Sequence, residues 1–459
     1  MPRASTGELI QRGKSARKQV GRRSHAACPQ ASERVDPLSI LAAQDVNRVP
    51  DLLELRYQRM SVSPFTFLRG SAAVMAADLA LTPTTPITTQ LCGDAHLLNI
   101  EIFATPERRL VFDITDFDET IRGPFEWDLK RMTTSFVIAA RHRGFDKTVA
   151  DETVHACLSQ YRAGMRRHRQ ADVLDVWYSS ISEQDVVSIL GQRSEEVAAN
   201  SGLLDHADSA FAKARQRTSK RAAQRLTEAA DGRLRMREDP PVLSREALPP
   251  NRQALAARFL QSYKESLPSH KHHLLDRFEV VDAARRVVGV GSVGTRCYVI
   301  LLHGRDDDDP LVLQVKEAGP SVLEPHVATR APRPHGRRVV EGQRTMQTAS
   351  DIFLGWLQAV GPDGVERDFY LRQFRDMKGS VDIDALDQTG LVSYAKLCGL
   401  LLANAHARGG EAAEISGYLG KSDGFIEALT EFAHAYADVT EQDHERLRMA
   451  IRSGLNPLR

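Results

Sequence analysis

The sequence predicts an α+β protein whose helical and β-rich parts occupy different stretches of the chain. Helical periodicity dominates residues 61–245 and 381–459, whereas the apolar runs typical of strands cluster within residues 246–380. At 459 residues the chain is also too long to fold around one core. We therefore expect a lead-in over 1–60, a mainly helical section with short strands (61–245), a β-rich section with one helix (246–380) and C-terminal helices (381–459).

The lead-in begins with a basic arm. Seven lysines and arginines lie between Met1 and Ala26, against Glu8 as the single acidic residue. The arm lacks the apolar core of a secretory signal, and the net charge of the whole chain is only +1. An arm that lies on its own protein explains this pattern more simply than nucleic-acid binding, so nucleic acid is not an expected partner. Helices are predicted over Pro37–Asp45 and Asp51–Met60.

Cysteine usage and hydropathy indicate a cytoplasmic protein without a membrane span. The five cysteines stand singly, with no pair at CxxC or metal-ligand spacing, which suits a reducing compartment. No stretch approaches the ~18–20 consecutive apolar residues that a membrane-spanning helix requires. The sequence does not indicate an oligomeric state.

The stretch Leu91–Glu119 carries the strongest chemical signal. Two short strands, predicted over Thr88–Cys92 and Leu110–Ile114, flank a loop with the sequence GDAHLLN. Asp94 and Asn99 of this loop repeat the Asp-x-x-x-x-Asn spacing of a kinase catalytic loop. Carboxylate and amide oxygens suit a hard cation such as Mg²⁺, which takes one or two protein carboxylates together with phosphate oxygens.

Two residues of the loop are candidates for direct roles in catalysis. Asp94 stands where a carboxylate orients or deprotonates the hydroxyl group of an acceptor. His96 is placed to hydrogen-bond the catalytic loop or a phosphate, although a hydrogen-bonded core histidine also explains it. Asp128, at the start of a predicted buried helix, is interpreted as a tether for the catalytic loop rather than a reacting group.

Several carboxylates compete for a metal position. Asn99, Asp116 and Asp118 are candidate ligands, because Asn99 ends the kinase-like spacing and Asp-Phe-Asp at 116–118 stands where kinases carry Asp-Phe-Gly. Asp118 or Asp113 can also take the place of Asp116, and the residues alone do not decide among the three. An acidic turn capped by its own backbone is the alternative, but it leaves many polar groups on apolar strands without a ligand, which is costly.

A glycine-rich loop lies far downstream, between two predicted strands. Gly289, Gly291, Ser292 and Gly294 form G-V-G-S-V-G, and Thr295 follows. Glycines at such a turn let backbone amides approach a polyphosphate. The residues after the loop read as a strand, so it does not match the helix-initiating dinucleotide fingerprint, and it lacks the Gly-Lys-Ser/Thr ending of a P-loop. A plain tight hairpin is the alternative explanation.

A lysine on the strand that follows this loop completes a kinase-like pair. Lys316 lies in L-Q-V-K-E-A, about twenty residues beyond the glycines, as in a protein kinase. A helix carboxylate holds such a lysine in place. Glu341, in the next predicted helix (Arg337–Trp356), is the chosen partner, with Glu317 and Glu324 as rivals. A solvated, outward-facing glutamate is the alternative for Glu341.

Long segments of the chain resemble a bacterial family known as domain of unknown function 2252. They are SPFTFLRGSAAVMAADLA, the stretch from Leu91 through GPFEWDLKR, VVGVGSVGTRCYVILL, LQVKEA, VVEGQRTMQTASDIFLGW, FYLRQFRDMKGS and CGLLLANAHARGG, and they span most of residues 37–410. The chain departs from the family's usual pattern where Ile-Glu rather than Phe-Gly follows Asn99, and where Glu411 rather than Asp follows HARGG.

The resemblance implies roles for several of these residues. The family is grouped with the protein-kinase-like superfamily, and GDAHLLN with the later ITDFDE and WDL is similar to the GDxHxxN, Asp and Asp-Leu signature of aminoglycoside and choline phosphotransferases. This similarity implies Asp94 at the base position, with Asn99 and Asp116 as metal ligands. It also implies ATP and Mg²⁺ as cofactors.

The parts stand in an unusual order. In a kinase the glycine-rich loop and its lysine come before the catalytic loop, whereas here the catalytic loop comes first. We therefore expect a two-lobed, protein-kinase-like fold in circularly permuted order, with the catalytic lobe in 61–245 and the nucleotide lobe in 246–380. The helix ending LANAHARGG resembles the one that normally runs into the catalytic loop, and Ser71–Ala80 is a rival for that position.

The predicted function is an ATP- and Mg²⁺-dependent phosphotransferase that acts on a hydroxyl-bearing acceptor, which the sequence does not identify. A nucleotide-binding pseudokinase with a regulatory or adaptor role would keep the same pocket and transfer nothing. Transfer of AMP instead of phosphate is also open, because the same lobes can hold ATP reversed. A degenerate pocket with a purely structural role is the remaining alternative.

Overall fold

The computed structural model describes residues 4–191, 208–230, 233–361, 363–374 and 377–454. Parts of all four predicted sections lie outside these ranges, namely 1–3 of the basic arm, 192–207 and 231–232 of the second section, 362 and 375–376 of the β-rich section, and 455–459 at the C-terminal end. Helices and antiparallel strands both contribute substantially, so the predicted α+β class is confirmed.

The N-terminal section, here residues 4–80, comprises the lead-in and the first two helices of the predicted second section. Ser5 and Ser63 each accept a backbone N–H at the start of a helix, the usual capping arrangement. Arg17 Nε donates to the Tyr418 carbonyl oxygen at 2.8 Å and Arg22 to that of Leu419 at 2.7 Å, so the basic arm lies against its own protein. The helices are α1 (Thr6–Gln19), α2 (Pro37–Asp45), α3 (Leu53–Met60), α4 (Pro64–Gly70) and α5 (Ala72–Ala80).

After α5 the second section continues with four short strands and then with further helices. β1 (Thr88–Leu91) pairs antiparallel with β4 (Ile121–Pro124), and β2 (Ile100–Ala104) pairs antiparallel with β3 (Leu110–Ile114). The GDAHLLN loop connects β1 to β2. The helices that follow are α6 (Glu126–His142), α7 (Lys147–His168), α8 (Val173–Tyr178) and α9 (Glu183–Gly191). Residues 208–216 are also helical.

The β-rich section is built on a six-stranded antiparallel sheet, with strand order β11-β12-β10-β9-β8-β7. Before the sheet come α10 (Ser219–Leu226) and the hairpin β5 (Thr227–Ala230) and β6 (Arg233–Met236). The sheet strands are β7 (Leu243–Ser244), β8 (Glu279–Arg286), β9 (Cys297–His303), β10 (Pro310–Glu317), β11 (Gly355–Val360) and β12 (Glu366–Gln373). β13 (Gly379–Ser380) lies outside this sheet and pairs antiparallel with β2.

The described residues of 246–380 form three α-helices, where one helix was predicted. They are α11 (Arg252–Lys264), α12 (Ser269–Leu275) and α13 (His335–Met346). The helix predicted over Arg337–Trp356 ends ten residues early at Met346, and β11 begins at Gly355. The apolar spacing beyond Met346 has another cause, because Phe353 is buried in the sheet core from a connecting loop.

Side chains from both faces of the sheet are buried, with the period of two that a strand imposes. Tyr298 and Ile300 of β9 pack with Phe259 of α11 on one face. The alternate residues Val299 and Leu301 pack on the other face, with Ala223 of α10. The sheet is therefore covered on both sides.

The C-terminal helices pack around α7 and reach β1. At Gly399 an added Cβ would lie 2.0 Å from the Cys157 carbonyl oxygen, so the backbones of α14 and α7 are in direct contact. At the end of α14 the His406 carbonyl oxygen accepts a hydrogen bond from Thr89 Oγ1 at 3.0 Å. The helices are α14 (Gln388–Gly409), α15 (Ala412–Leu419) and α16 (Gly424–Arg452). Within the described ranges, no helix combines the length and apolarity needed to cross a membrane.

Candidate functional site

The GDAHLLN loop is held at its start by a buried carboxylate. Asp128, in the first turn of α6, accepts hydrogen bonds from the backbone N–H groups of Cys92 (2.8 Å) and Gly93 (3.0 Å). His406 Nε2 lies 3.1 Å from the same carboxylate. Gly93 has φ +86°, and a Cβ there would lie 2.3 Å from the Glu119 carbonyl oxygen, so only glycine fits. Asp128 therefore tethers the loop, as its position in the sequence predicts.

The Asp94 side chain is oriented by Arg131, which lies on α6 like Asp128. Arg131 Nε donates to Asp94 Oδ1 at 2.6 Å, while Arg131 Nη2 donates to the Leu68 carbonyl oxygen at 2.6 Å. The Asp94 side chain remains 20% exposed, so one carboxylate oxygen can still be reached. Asn99 Nδ2 donates to the Asp94 carbonyl oxygen at 2.6 Å, which turns its Oδ1 away from the loop.

The surroundings of His96 indicate a structural role. It is buried, and its Nδ1 accepts a hydrogen bond from the Leu98 backbone N–H at 3.2 Å. Burial lowers the pKa of His96 to about 3, so the ring is neutral and carries its proton on Nε2. Nε2 lies 3.9 Å from Asp94 Oδ2. His96 thus shapes the loop beside Asp94.

Asp113, Asp116 and Asp118, the three candidate carboxylate ligands of a metal ion, differ in the protein groups that already bind their oxygens. Both oxygens of Asp113 accept backbone N–H groups, from Ile114 at 2.8 Å and Thr348 at 2.7 Å. Asp116 accepts one backbone N–H, from Asp118 at 3.2 Å, and its side chain lines an open cleft. Of the three, Asp116 is the best placed to bind a ligand in the cleft.

Asp118 meets the distant lysine. Lys316 Nζ lies 2.5 Å from Asp118 Oδ2, and the Tyr370 hydroxyl donates to Asp118 Oδ1 at 2.5 Å. Burial alone would lower the pKa of Lys316, but the neighbouring Asp118, Tyr370 and Asp116 raise it well above its usual value. The lysine is therefore charged, and two residues far apart in the chain are joined.

The predicted partner of Lys316 lies elsewhere. Glu341 forms an ion pair of 2.7 Å with Arg337, one turn earlier on α13, and no ion pair joins it to Lys316. The two rival glutamates are also paired with arginines, Glu317 with Arg296 at 3.3 Å and Glu324 with Arg333 at 2.8 Å. The carboxylate that contacts the lysine comes from the Asp-Phe-Asp turn instead.

A residue that the sequence reasoning missed, Arg338, fixes this turn from α13. Its Nη1 donates to the Thr120 carbonyl oxygen at 2.6 Å, and its Nη2 donates to those of Asp118 at 2.7 Å and Gly319 at 3.0 Å. The available signal was an arginine directly before an apolar Val-Val pair, which predicts a buried position on the helix.

The glycine-rich loop is anchored by N-terminal arginines. Gly289 (φ +63°) and Gly294 (φ +89°) both need the left-handed backbone region. Arg59 Nη1 donates to the Gly289 carbonyl oxygen at 2.7 Å, and Arg48 Nη1 donates to that of Gly291 at 2.9 Å. The loop therefore packs on the N-terminal section through its carbonyl groups.

The remaining residues of the glycine-rich loop differ in their contacts and in whether they line the cleft. A Cβ at Gly291 would lie 2.7 Å from the Arg69 carbonyl oxygen, so Gly291 is required by close packing on the end of α4. Thr295 Oγ1 donates to the Ser292 carbonyl oxygen at 2.8 Å and so closes the turn. Ser292 and Gly289 line the cleft, whereas Gly291 and Thr295 do not.

One cleft with a volume of about 640 Å³ brings the two motifs together. It is bounded by the β2–β3 strands on one side and by the large sheet with the glycine-rich loop on the other. Lys316 reaches Asp118 across 198 residues of sequence. The predicted site residues that line the cleft are Asn99, Asp116, Gly289, Ser292 and Lys316. Those that do not line it are Asp94, His96, Asp118, Gly291, Gly294, Thr295 and Glu341.

Further polar residues line the same cleft and were not predicted. Glu101 pairs with Lys378 at 2.5 Å, and Arg372 donates to Gln314 Oε1 at 3.2 Å. A signal was present for Gln314, which lies two residues before Lys316 on the same predicted strand, because strand positions two apart share a face. The basic residues of the lining include Arg69, Arg217, Arg286, Lys316, Arg372 and Lys378.

The oxygen donors of the cleft suit a cation that takes only two of its ligands from the protein. In the part of the chain that the structure describes, no three His, Cys, Asp or Glu side chains are grouped as a complete metal site. Asn99 Oδ1 and the Asp116 carboxylate supply two oxygen donors at the edge of a strongly basic cleft. Mg²⁺ is commonly bound in this way, by one or two protein ligands together with phosphate oxygens and water.

Comparison with known proteins gives one match. A family described as "Uncharacterized protein conserved in bacteria (DUF2252)" matches residues 48–450, which include both the GDAHLLN loop and the glycine-rich loop. No curated protein and no solved structure matches the chain. Because the match covers most of the chain and every part of the cleft, the protein belongs to the DUF2252 family.

Proposed function

We propose that the protein is an ATP- and Mg²⁺-dependent phosphotransferase of the protein-kinase-like type. The observation that carries the proposal is the 2.5 Å contact between Lys316 and Asp118 beside a cleft that Asn99, Asp116 and Gly289 line. A lysine, a metal-binding Asn and Asp, and a glycine-rich loop are the recurring parts of kinase-type phosphoryl transfer. All of them meet here at one cleft large enough for a nucleotide.

The order of elements supports a circularly permuted, two-lobed kinase-like fold. Counted from β8, the glycine-rich loop follows the first strand, Lys316 lies on the third strand and the helix α13 comes next, as kinases arrange their lysine strand and αC helix. The last turn of α14 contacts β1 through His406 and Thr89. This is where a chain of unpermuted order would pass from α14 into the catalytic loop.

In the proposed reaction the chain supplies positioning and charge. Asp94, held by Arg131, orients the acceptor hydroxyl and accepts its proton. Asn99 and Asp116 would hold Mg²⁺, which supplies neutralisation of phosphate charge when it is bound. Lys316, held beside Asp118 at the cleft wall, would contact the phosphate oxygens.

Two alternatives use the same residues. A pseudokinase would bind the nucleotide and act as a regulator or adaptor, and an AMP transferase would hold ATP in the reverse direction.

The five cysteines are free thiols, and together with the ATP requirement this supports a cytoplasmic location.

The test uses ATP labelled at either the α- or the γ-phosphorus, with Mg²⁺ or with a chelator. We expect Mg²⁺-dependent transfer or slow release of the γ-label, and Asp94→Asn is expected to reduce it at least ~100-fold while nucleotide affinity changes little. Lys147→Ala, which removes an exposed lysine outside the cleft, serves as the matched control.

The other outcomes are equally decisive. Transfer of the α-label would identify AMP transfer, and tight binding without any turnover would identify a pseudokinase. Unchanged turnover in Asp94→Asn would reject the role of Asp94. No nucleotide binding at all, measured by calorimetry with a non-hydrolysable analogue, would reject the proposed function.

A further inference from the structure

Among the described basic side chains that line the cleft, Arg69 alone has no protein partner. It lies in the last turn of α4 and lines the cleft together with Asn99 and Asp116. Its Nε is buried without a hydrogen-bond partner. The Arg69 guanidinium forms no hydrogen bond and no ion pair with any residue in the described ranges.

Neighbouring cations of the cleft are all engaged with protein groups. Lys316 binds Asp118, Lys378 binds Glu101, and Arg372 Nη1 donates to the Thr115 carbonyl oxygen at 3.0 Å. Polar groups that are shielded from water are nearly always hydrogen-bonded in proteins. Arg69 is half-buried, its whole guanidinium has no protein partner in the described ranges, and it lines the cleft, so it is free to bind an anionic oxygen of a ligand.

The backbone at Arg69 is fixed by contacts on two sides. The Arg131 guanidinium that holds Asp94 also holds the carbonyl oxygen of Leu68, the residue before Arg69. On the other side Gly291 of the glycine-rich loop packs against the Arg69 carbonyl oxygen. The residue is thus placed between the candidate base and the loop that would cover the phosphates.

The charges around Arg69 suit a metal–phosphate complex rather than a bare anion. Burial lowers the pKa of Arg69, and nearby Asp94, Asp116 and Glu101 counteract this effect, so the guanidinium stays protonated. A naked anion would be repelled by these carboxylates. A phosphate group that brings a divalent cation satisfies the carboxylates and the guanidinium together.

We propose that Arg69 is a catalytic residue that binds an anionic oxygen of the transferred group. The inference rests on the proposed function for the identity of that group, the terminal phosphoryl of ATP. In this step the bond from the acceptor oxygen to phosphorus forms while the bond to the β–γ bridging oxygen breaks. The acceptor proton passes to Asp94, ADP leaves, and Arg69 stabilises the charge on the transferred oxygens.

The binding test uses inorganic tripolyphosphate with Mg²⁺, measured by calorimetry on the full chain. We expect Arg69→Gln to weaken binding at least ~10-fold and Arg69→Lys to keep part of the affinity, because lysine retains the charge but not the fork of donors. Arg162→Gln, which removes a partly exposed arginine paired with Asp423, should bind as the wild type does. Equal affinity of wild type and Arg69→Gln, or no binding by the wild type, would overturn the anion site.

Stability and turnover complete the test. Since Arg69 has no protein partner to lose, Arg69→Gln should melt within about 2 °C of the wild type, and a large loss of stability would mean that its role is structural. With ATP, Arg69→Gln should lower kcat at least ~100-fold with a smaller change in KM. Unchanged kcat in an active enzyme would overturn the role in transfer. If tripolyphosphate binding depends on Arg69 but the wild type transfers nothing from ATP, the anion site stands and the proposed function fails.

Discussion

At the scale of single residues, the carboxylates in and beside the cleft differ in the protein groups that already bind their oxygens. Asp113 is fully engaged by backbone amides, and Asp118 by Lys316 and Tyr370. Asp116 keeps a free oxygen at the cleft wall, and Asp94 keeps one beside it. Occupancy by protein groups therefore distinguishes carboxylates that position the chain from those that can meet a ligand.

The partner of Lys316 can be tested by two matched substitutions. Asp118→Asn leaves the buried lysine without its counter-charge and should lower the free energy of unfolding by about 3 kcal/mol. Glu341→Gln removes only a surface pair with Arg337 and should change it by less than about 0.5 kcal/mol. Urea unfolding of both variants measures this difference, and a larger effect of Glu341→Gln would show that Glu341 is the partner.

At the scale of elements, local patterns predicted the structure where local forces decide it. The helix Pro37–Asp45 and the strand Leu110–Ile114 have the predicted bounds, because capping, proline position and alternation act within a few residues. α13 was predicted too long, since Phe353 is buried by the sheet and not by a helix face.

Tertiary contacts explain what the sequence did not reveal about the site. The choice of Asp118 over Glu341 depends on how α13 packs against the turn at 118–120, which Arg338 decides through backbone carbonyls. Nothing local to Lys316 specifies a partner 198 residues away. The types of residue in the cleft were predictable, but their pairing was not.

The contact between the glycine-rich loop and α4 gives a prediction at this scale. Gly291→Ala places a Cβ 2.7 Å from the Arg69 carbonyl oxygen, so the loop must shift away from α4. We expect a loss of about 1–3 kcal/mol in unfolding free energy, as for other overpacked sites. Gly319→Ala is the control, because a Cβ there meets no atom within 4 Å. Equal stability of the two variants, measured by urea unfolding, would contradict the tight packing of this loop.

At the scale of the whole molecule, two buried histidines make the protein sensitive to acid. Burial lowers the pKa of His25 and of His96 to about 3. Each is neutral in the folded chain and takes up a proton near pH 6.5 when unfolded, so stability is retained above that pH and lost as the pH falls from 6.5 toward 3.

A substitution isolates this effect from other titrating groups. Burial raises the pKa of Glu119 to about 7, which acts in the opposite direction between pH 7 and 4.5. Comparing His25→Gln with the wild type cancels that contribution. The loss of unfolding free energy between pH 7 and pH 5 should be smaller by about 2 kcal/mol in the variant. Identical pH dependence in urea titrations would mean that His25 is already protonated in the folded protein.

The contact between the end of α14 and β1 bears on how the protein is made. Thr89 and His406 are 317 residues apart, yet together they secure the start of the GDAHLLN loop. At roughly 5–20 residues per second, a ribosome needs about 15–60 s to travel between them. Throughout that interval the nascent chain exposes an acidic, partly apolar stretch that cannot yet close. The GDAHLLN loop can therefore take up its final anchorage only after α14 has been synthesised.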